Sequence, residues 1–157
     1  MTPPCGVVQH LDSTAHLWRR VAHRRSHLTW SKQDKRWLPS TDRALWFNPM
    51  LSTSWAEHIE RHGEGAAALV QRAPSFPLVF SIEVGTIRAL GLNTAHDPAD
   101  PPIDKPIDCA HVAVTWPETD PDDGVSPLTE DRKIELRMDI AIATSLIFGE
   151  ITLKPPQ

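Results

Sequence analysis

The segment that most constrains the fold is Leu78-Val-Phe-Ser-Ile-Glu-Val84, because branched and aromatic residues occupy most of its positions. Such residues are enriched in β-strands, where they fill a pleated, half-buried surface. Pro74 and Pro77 precede the segment, and a short helical pattern from Thr86 is stopped by Gly91. The segment therefore predicts a well-packed strand that needs neighbouring strands and covering helices.

The rest of the chain alternates irregularly between strand and helix patterns. Ser54 and Glu57 have the capping-box spacing of a helix start, and Ser126-Pro127 supplies a cap followed by proline at the first helical position. We predict strands at 26–31, 36–38, 78–84, 109–116 and 151–153, and helices at 16–23, 54–62, 66–72, 86–91 and 128–148. This order predicts an α+β protein, with a small mixed sheet and helices packed mainly on one side.

Length and composition predict one ordinary soluble domain over residues 11–157, after a loose N-terminus at 1–10. Cys5 lies in the loose terminus and Cys109 in an apolar strand pattern, so we expect no structural disulfide and a reducing compartment. The longest apolar stretch, 138–151, is too short for a bilayer and contains acidic residues. The first residues lack the basic and apolar regions of a secretion signal. We expect a cytoplasmic protein with no membrane association.

Charge is distributed unevenly along the chain. Eight basic residues lie between Arg19 and Arg43, against only Asp34 and Asp42, whereas from residue 61 onward eight basic residues face fifteen acidic ones. Such asymmetry is typical of proteins with an anionic partner, although two oppositely charged parts can also pack together.

The basic segment contains a predicted hairpin at 26–38 with Trp30 and Trp37 in its strands and Trp18 and Trp46 beside it. Aromatic side chains among cations can stack nucleobases while the cations hold phosphates. Tryptophans in strands also form cross-strand pairs and cores. Nucleic acid is therefore one possible partner, and a protein partner is another.

Three histidines lie in local sequence motifs that suggest a defined position for the ring. Thr29 follows His27 by two residues, His96 precedes Asp97-Pro98, and His111 lies in the predicted strand 109–116. Imidazole both donates and accepts a proton near neutral pH. We predict that the three rings line one polar pocket edged by the basic hairpin. Asp97 would either cap the following turn or fix the tautomer of His111.

Metal-binding patterns are incomplete. His58 and His62 stand one helical turn apart, which suits zinc, but the His-Glu-x-x-His order of metalloproteases is missing. The acidic run 120–124 lacks the spacing and final glutamate of a calcium loop. We predict no metal and no other cofactor.

The pairs His27-Leu-Thr29 and His111-Val-Ala113 resemble those of the two-histidine phosphoesterases. The resemblance implies that His27 and His111 act as an acid–base pair while hydroxyl groups hold a phosphate. This chain departs from the pattern at Ala113, where a hydroxyl is missing, although Thr115 follows two residues later.

A second set of residues resembles NAD-degrading toxins of the ADP-ribosyltransferase type. It comprises Arg19-Arg20, Arg43, Trp46-Phe-Asn-Pro49 and the run from Ser52 to Glu57. The resemblance implies an arginine on the pyrophosphate, and a hydroxyl and a glutamate around the nicotinamide ribose. The glycine-bounded elements of those toxins are absent from the sequence.

A third resemblance covers roughly residues 27–115 and is to a group of small bacterial proteins. The segments that show this resemblance include His27-Leu-Thr-Trp, Pro39-Ser-Thr, His96-Asp-Pro98 and Pro106-Ile-Asp-Cys-Ala-His111. Members of the group show His-Leu-Ser-Trp, Pro-Ser-Ser, His-Asp-Pro and Asn-Pro-Ala-His. The resemblance implies a bacterial, cytoplasmic, single-domain protein, and no particular activity.

These observations predict a protein that binds, or acts on, a phosphate-bearing ligand such as a nucleotide or an RNA end. The predicted catalytic residues are His27, His96 and His111, and the predicted ligand-binding residues are Thr29, Ser40, Arg25, Lys32 and Arg36. The alternative is a non-catalytic accessory protein of a bacterial operon, in a defence or toxin system. Convergence of the three imidazoles would favour the first interpretation, and their separation would favour the second.

Overall fold

The computed structural model describes residues 5–117 and 128–156. Its strands are β1 (His16–Val21), β2 (Leu28–Ser31), β3 (Arg36–Pro39), β4 (Leu51–Trp55), β5 (Leu78–Glu83), β6 (Asn93–His96), β7 (His111–Thr115) and β8 (Ser145–Phe148). Its helices are α1 (Ala56–Arg61), α2 (Ala66–Arg72), α3 (Val84–Ala89), α4 (Lys105–Cys109) and α5 (Glu130–Ala143). None of these helices has both the length and the apolar character needed to cross a bilayer.

Six strands form one sheet in the order β6-β7-β4-β1-β5-β8, and β2 and β3 form a separate hairpin. Every pairing between the described strands is antiparallel. The predicted α+β class is confirmed. The predicted hairpin is also confirmed. Trp30 lies opposite Trp37, and the two indoles meet edge to face with their ring centroids 5.5 Å apart.

Strand β1 lies at the centre of the sheet and is buried on both sides. Leu17 is fully buried in one apolar cluster, and the next residue, Trp18, is buried in another. Because neighbouring strand residues point to opposite faces, the two clusters lie on the two sides of the sheet. Helices α3 and α5 contribute to the Leu17 side, and α1, α2 and α4 to the Trp18 side. The described helices thus cover both faces of the sheet, two on the Leu17 side and three on the Trp18 side.

The predicted helix over 16–23 is wrong, because His16–Val21 is strand β1. Leu17 and Val21 are four residues apart, a spacing that places two side chains on one face in a helix and equally in a strand. The burial of Trp18 opposite Leu17 suits a strand covered on both sides, and six residues of β1 pair with β5.

The predicted helix 128–148 ends earlier than expected. Helix α5 stops at Ala143, Thr144 takes an extended conformation, and 145–148 become the edge strand β8, which pairs with β5. Arg36 donates hydrogen bonds of 2.7 Å to the carbonyls of Ile142 and Thr144, which the helix itself leaves unpaired. The stop signal is therefore a tertiary contact. The predicted strand at 151–153 is wrong, and Ile151 and Leu153 pack against the core without strand pairing.

Two predicted helix starts also differ. Trp55 is the residue before α1, Ser54 belongs to β4, and the Glu57 carboxylate accepts the backbone N–H of His16 instead of closing a capping box. Thr129 caps α5 by accepting the N–H of Arg132. The predicted cap at 126–127 and the acidic run 120–124 lie outside the described residues.

The expectation of two unpaired cysteines is wrong, because Cys5 and Cys109 form a disulfide. Cys109 ends α4 and lies two residues before the start of β7, and the N-terminal segment returns to that point. The predicted strand over 109–116 therefore begins only at His111 and ends at Thr115. A second contact, from the N–H of Val8 to His96, holds the same segment. With both cysteines paired, cysteine usage no longer favours a reducing compartment.

Candidate anion-binding site

The loop from Ser40 to Phe47 is held in place by hydrogen bonds between side chains and backbone groups. Ser40 is buried, and its hydroxyl donates to the carbonyl of Ser26 and accepts the N–H of Ala44. From β1, the Nε of Arg19 donates to the carbonyl of Ala44 at 3.0 Å. The hydroxyl of Ser40, predicted to orient a phosphate, is thus used to shape the loop.

This loop and the start of the hairpin enclose an open cavity of about 460 Å³. The cavity is lined by His27, Asp42, Arg43 and Trp46, and Trp46 exposes 48% of its surface. Burial lowers the pKa of His27, and the charges of Arg24 and Arg43 lower it further, against an opposing effect of Asp42. His27 is therefore a neutral ring in cationic surroundings at pH 7.

The second feature of this region is a buried arginine on α5. Arg137 is 6% exposed, and its guanidinium lies 4.7 Å from the ring centroid of Trp46 and 5.8 Å from that of Trp116. Its Nε atom is buried without a hydrogen-bond partner. Within residues 5–117 and 128–156, no carboxylate forms an ion pair with it.

A buried cation without a hydrogen-bonding counter-charge is costly. Contact with two indole faces offsets part of that cost, because the ring faces carry negative potential. An anion beside the guanidinium would supply the missing hydrogen bonds in addition. Trp46 connects the two features, since it lines the cavity and contacts Arg137. The arrangement is suited to an anion that also offers a flat or apolar group to an indole.

The other predicted ligand-binding residues lie elsewhere. Thr29 and Lys32 line a separate groove between the hairpin and α5. Arg25 donates to the carbonyl of Lys154, and Arg36 is committed to the end of α5. The cations of the hairpin therefore do not gather around His27.

His96 is a buried structural residue. It is 8% exposed, its Nδ1 accepts the N–H of Val8 at 2.9 Å, and its Nε2–H donates to the carbonyl of Cys109 at 2.6 Å. Because both ring nitrogens are used, the ring fastens the N-terminal segment and the end of α4 to β6. It has no free nitrogen for proton transfer.

His111 contacts Asp97 mainly through the main-chain carbonyl of Asp97, whereas the predicted tautomer-fixing role was assigned to its carboxylate. The Nδ1–H of His111 donates to the Asp97 carbonyl at 2.8 Å, and the Asp97 carboxylate lies 3.6 Å away. His111 begins β7 and His96 ends β6, which are adjacent strands at one edge of the sheet. In the described part of the chain, no hydrogen bond, ion pair or ring contact joins His27 to either of them.

His58, His62 and His96 form a third group. The ring of His58 lies 4.8 Å from that of His62 and 6.4 Å from that of His96. Burial lowers the pKa of His58, and the neighbouring His62, Arg61 and His96 lower it further. Among the residues that the structure describes, no set of three or more histidine, cysteine or acidic side chains is arranged to hold a metal ion.

Three of the residues that resemble the ADP-ribosyltransferases, Arg19, Arg20 and Glu57, are used in structural contacts, whereas Arg43 and Trp46 line the cavity. Arg19 donates to the carbonyls of Ala44 and Ser52, and Arg20 donates to that of Leu69. Glu57 accepts both the backbone N–H and the ring nitrogen of His16.

The sequence interpretation missed Arg137. A signal was available, because Arg137 lies three residues before Ile140 and four before Ala141, and so shares the buried face of the helix. An arginine on such a face calls for a partner.

Comparison with protein-family models, with curated proteins and with solved structures finds no match to this chain. The candidate site therefore rests on its own geometry.

The two histidines at the sheet edge give a direct test of these assignments. We expect His96→Ala to lower the free energy of unfolding by about 1–3 kcal/mol, because it leaves the buried N–H of Val8 and carbonyl of Cys109 unpaired. The matched control, His111→Ala, should change it by less than about 1 kcal/mol, because that ring is partly exposed. Urea unfolding curves measure both, and equal losses would contradict the assignment.

Proposed function

We propose that this protein binds a phosphate-bearing ligand, such as a nucleotide or an RNA end, in the cavity lined by His27, Arg43 and Trp46. The observation that carries the proposal is the buried Nε of Arg137, which has no hydrogen-bond partner among the described residues. Arg137 does not itself line the cavity and reaches it through its contact with Trp46.

Three of the four lining residues each suit one part of such a ligand, and the fourth is the carboxylate of Asp42. The half-exposed indole of Trp46 offers a stacking surface for a nucleobase. Arg43 is an exposed cation that can form paired hydrogen bonds with phosphate oxygens. His27 would hydrogen-bond the phosphate and take up a proton as the anion approaches.

The three imidazoles do not converge, which counts against catalysis by them, so the proposal is a binding function without acid–base catalysis by two histidines. His111 and His96 lie at the β6–β7 edge, where their rings form hydrogen bonds with Asp97 and with the backbone groups of Val8 and Cys109. Within the described residues, His27 has no second histidine in its cavity.

Removing the charge of Arg137 should weaken binding without harming the fold. We expect Arg137→Met to reduce the affinity for adenosine triphosphate and for inorganic tripolyphosphate at least about tenfold, which corresponds to about 1.4 kcal/mol. The apolar side chain fills similar space between the indoles, so thermal stability should be kept. Calorimetric titration measures the affinity.

The matched control is Arg132→Ala on the same helix, where the arginine is exposed and paired with Glu135. This variant should bind both ligands as the wild type does. Comparing the two ligands separates the contribution of the base from that of the phosphates. Wild-type affinity in Arg137→Met would contradict the proposal.

A second prediction concerns pH. The pKa of free His27 lies below its ordinary value of 6.5, because of burial and of Arg24 and Arg43. A bound anion raises that pKa, so binding is coupled to proton uptake and strengthens as pH falls from 8 towards and below 6.5. Sulfate is the suitable probe, because it does not titrate in this range. His27→Gln should bind sulfate with a clearly smaller dependence on pH, and an unchanged slope would show that His27 is not part of the site.

A further inference from the structure

Helix α5 carries three large apolar side chains on its solvent-facing side. Ile134, Met138 and Ile142 are 45%, 51% and 51% exposed and follow one another at four-residue intervals. This spacing forms a continuous stripe along one helix face, whereas Leu136 and Ile140 point into the core. Exposed apolar stripes of this kind mark contact surfaces.

The C-terminal half of the stripe borders a groove of about 360 Å³ between α5 and the β2–β3 hairpin. The groove is lined by Leu38, Pro39, Met138 and Ile142. The exposed cation of Lys32 is also among its lining residues. It is concave next to the convex stripe, so one surface offers both a ridge and a slot.

The two ends of this face carry opposite charges. Asp131 lies at the N-terminal end, seven residues before Met138 on the same helix face, and is exposed without an ion pair in the described structure. Lys32 lies at the C-terminal end, beside Ile142, and is likewise exposed without one. A copy of this surface turned end over end would place each Asp131 opposite the other copy's Lys32.

We infer that the stripe of α5 is the interface of a homodimer, in which two α5 helices pack antiparallel about a two-fold axis near Met138. Ile134 of one copy packs against Ile142 of the other and enters the groove beside the hairpin. The partner is a second copy because this surface is complementary to itself in shape and in charge, as a two-fold interface requires. The inference does not depend on the proposed ligand site.

Sedimentation velocity tests the association directly. The wild-type chain should form a dimer as its concentration rises from about 1 to 200 µM, a range typical of modest interfaces. Met138→Glu should weaken dimerisation at least about tenfold, because it buries two carboxylates at the axis. Circular dichroism melts check that this exposed substitution leaves the fold intact. A wild-type monomer at every concentration, or a dimer insensitive to Met138→Glu, would overturn the inference.

Cross-linking and charge reversal test the antiparallel arrangement. The native cysteines are joined to each other, so Met138→Cys introduces one new thiol that should form an intermolecular disulfide under mild oxidation. Arg132→Cys, which lies off the stripe, is the matched control and should not. Asp131→Lys and Lys32→Glu should each weaken the dimer, and the double variant should restore it. Failure of the double variant to restore dimerisation, or preferential cross-linking through residue 132, would reject this geometry.

Discussion

The placement of the candidate site depends on the partly buried guanidinium of Arg19. Arg19 projects from the central strand β1, where burial lowers its pKa and the adjacent charge of Arg20 lowers it further. An arginine side chain nevertheless stays charged in a protein, so its N–H groups must be satisfied. They donate to the carbonyls of Ala44 and Ser52, each at 3.0 Å. These bonds tie β4 and the 40–47 loop to β1, and the loop carries Arg43 and Trp46.

Arg137 makes an instructive contrast with Arg19. Both are arginines largely removed from solvent, but Arg19 has two backbone carbonyls as partners, whereas Arg137 has two indole faces and a buried Nε without a hydrogen bond. A guanidinium whose hydrogen bonds are made within the fold is a structural element. The Nε of Arg137 is left without a partner among the described residues, which is why this arginine carries the proposal above. This difference, and not the number of nearby cations, distinguishes the proposed site from the rest of the basic N-terminal region.

Much of the fold could be predicted from local sequence. The predicted strands at 26–31, 36–38 and 78–84 overlap β2, β3 and β5, and the predicted helix at 66–72 coincides with α2. The failures arose where two patterns coincide or where a distant contact decides. Leu17 and Val21 fit a helix face and a strand face equally, and only pairing with β5 selects the strand. The end of α5 is set by Arg36, more than 100 residues away in sequence.

The candidate site was less accessible to prediction. His27 was identified because a hydroxyl residue, Thr29, follows it by two positions, and His27 does line the cavity. His96 and Ser40 also stood out, but burial gave both a structural role that a linear pattern cannot distinguish from a catalytic one. Arg137 escaped notice because its importance comes from Trp46, which lies 91 positions earlier and meets it only in the folded chain.

The most direct test of the central claim is the ¹⁵N-correlated NMR signal of the Arg137 Nε–Hε group, assigned by its loss in Arg137→Lys. In the free protein this signal should lie upfield of those of the exposed arginines, because the guanidinium sits over the ring of Trp46 and its Nε makes no hydrogen bond. Saturation with tripolyphosphate should move it downfield by more than any other arginine side-chain signal, as a hydrogen bond to the anion forms. A signal that stays in place while those of other arginines shift would contradict the account, because the anion would then bind elsewhere.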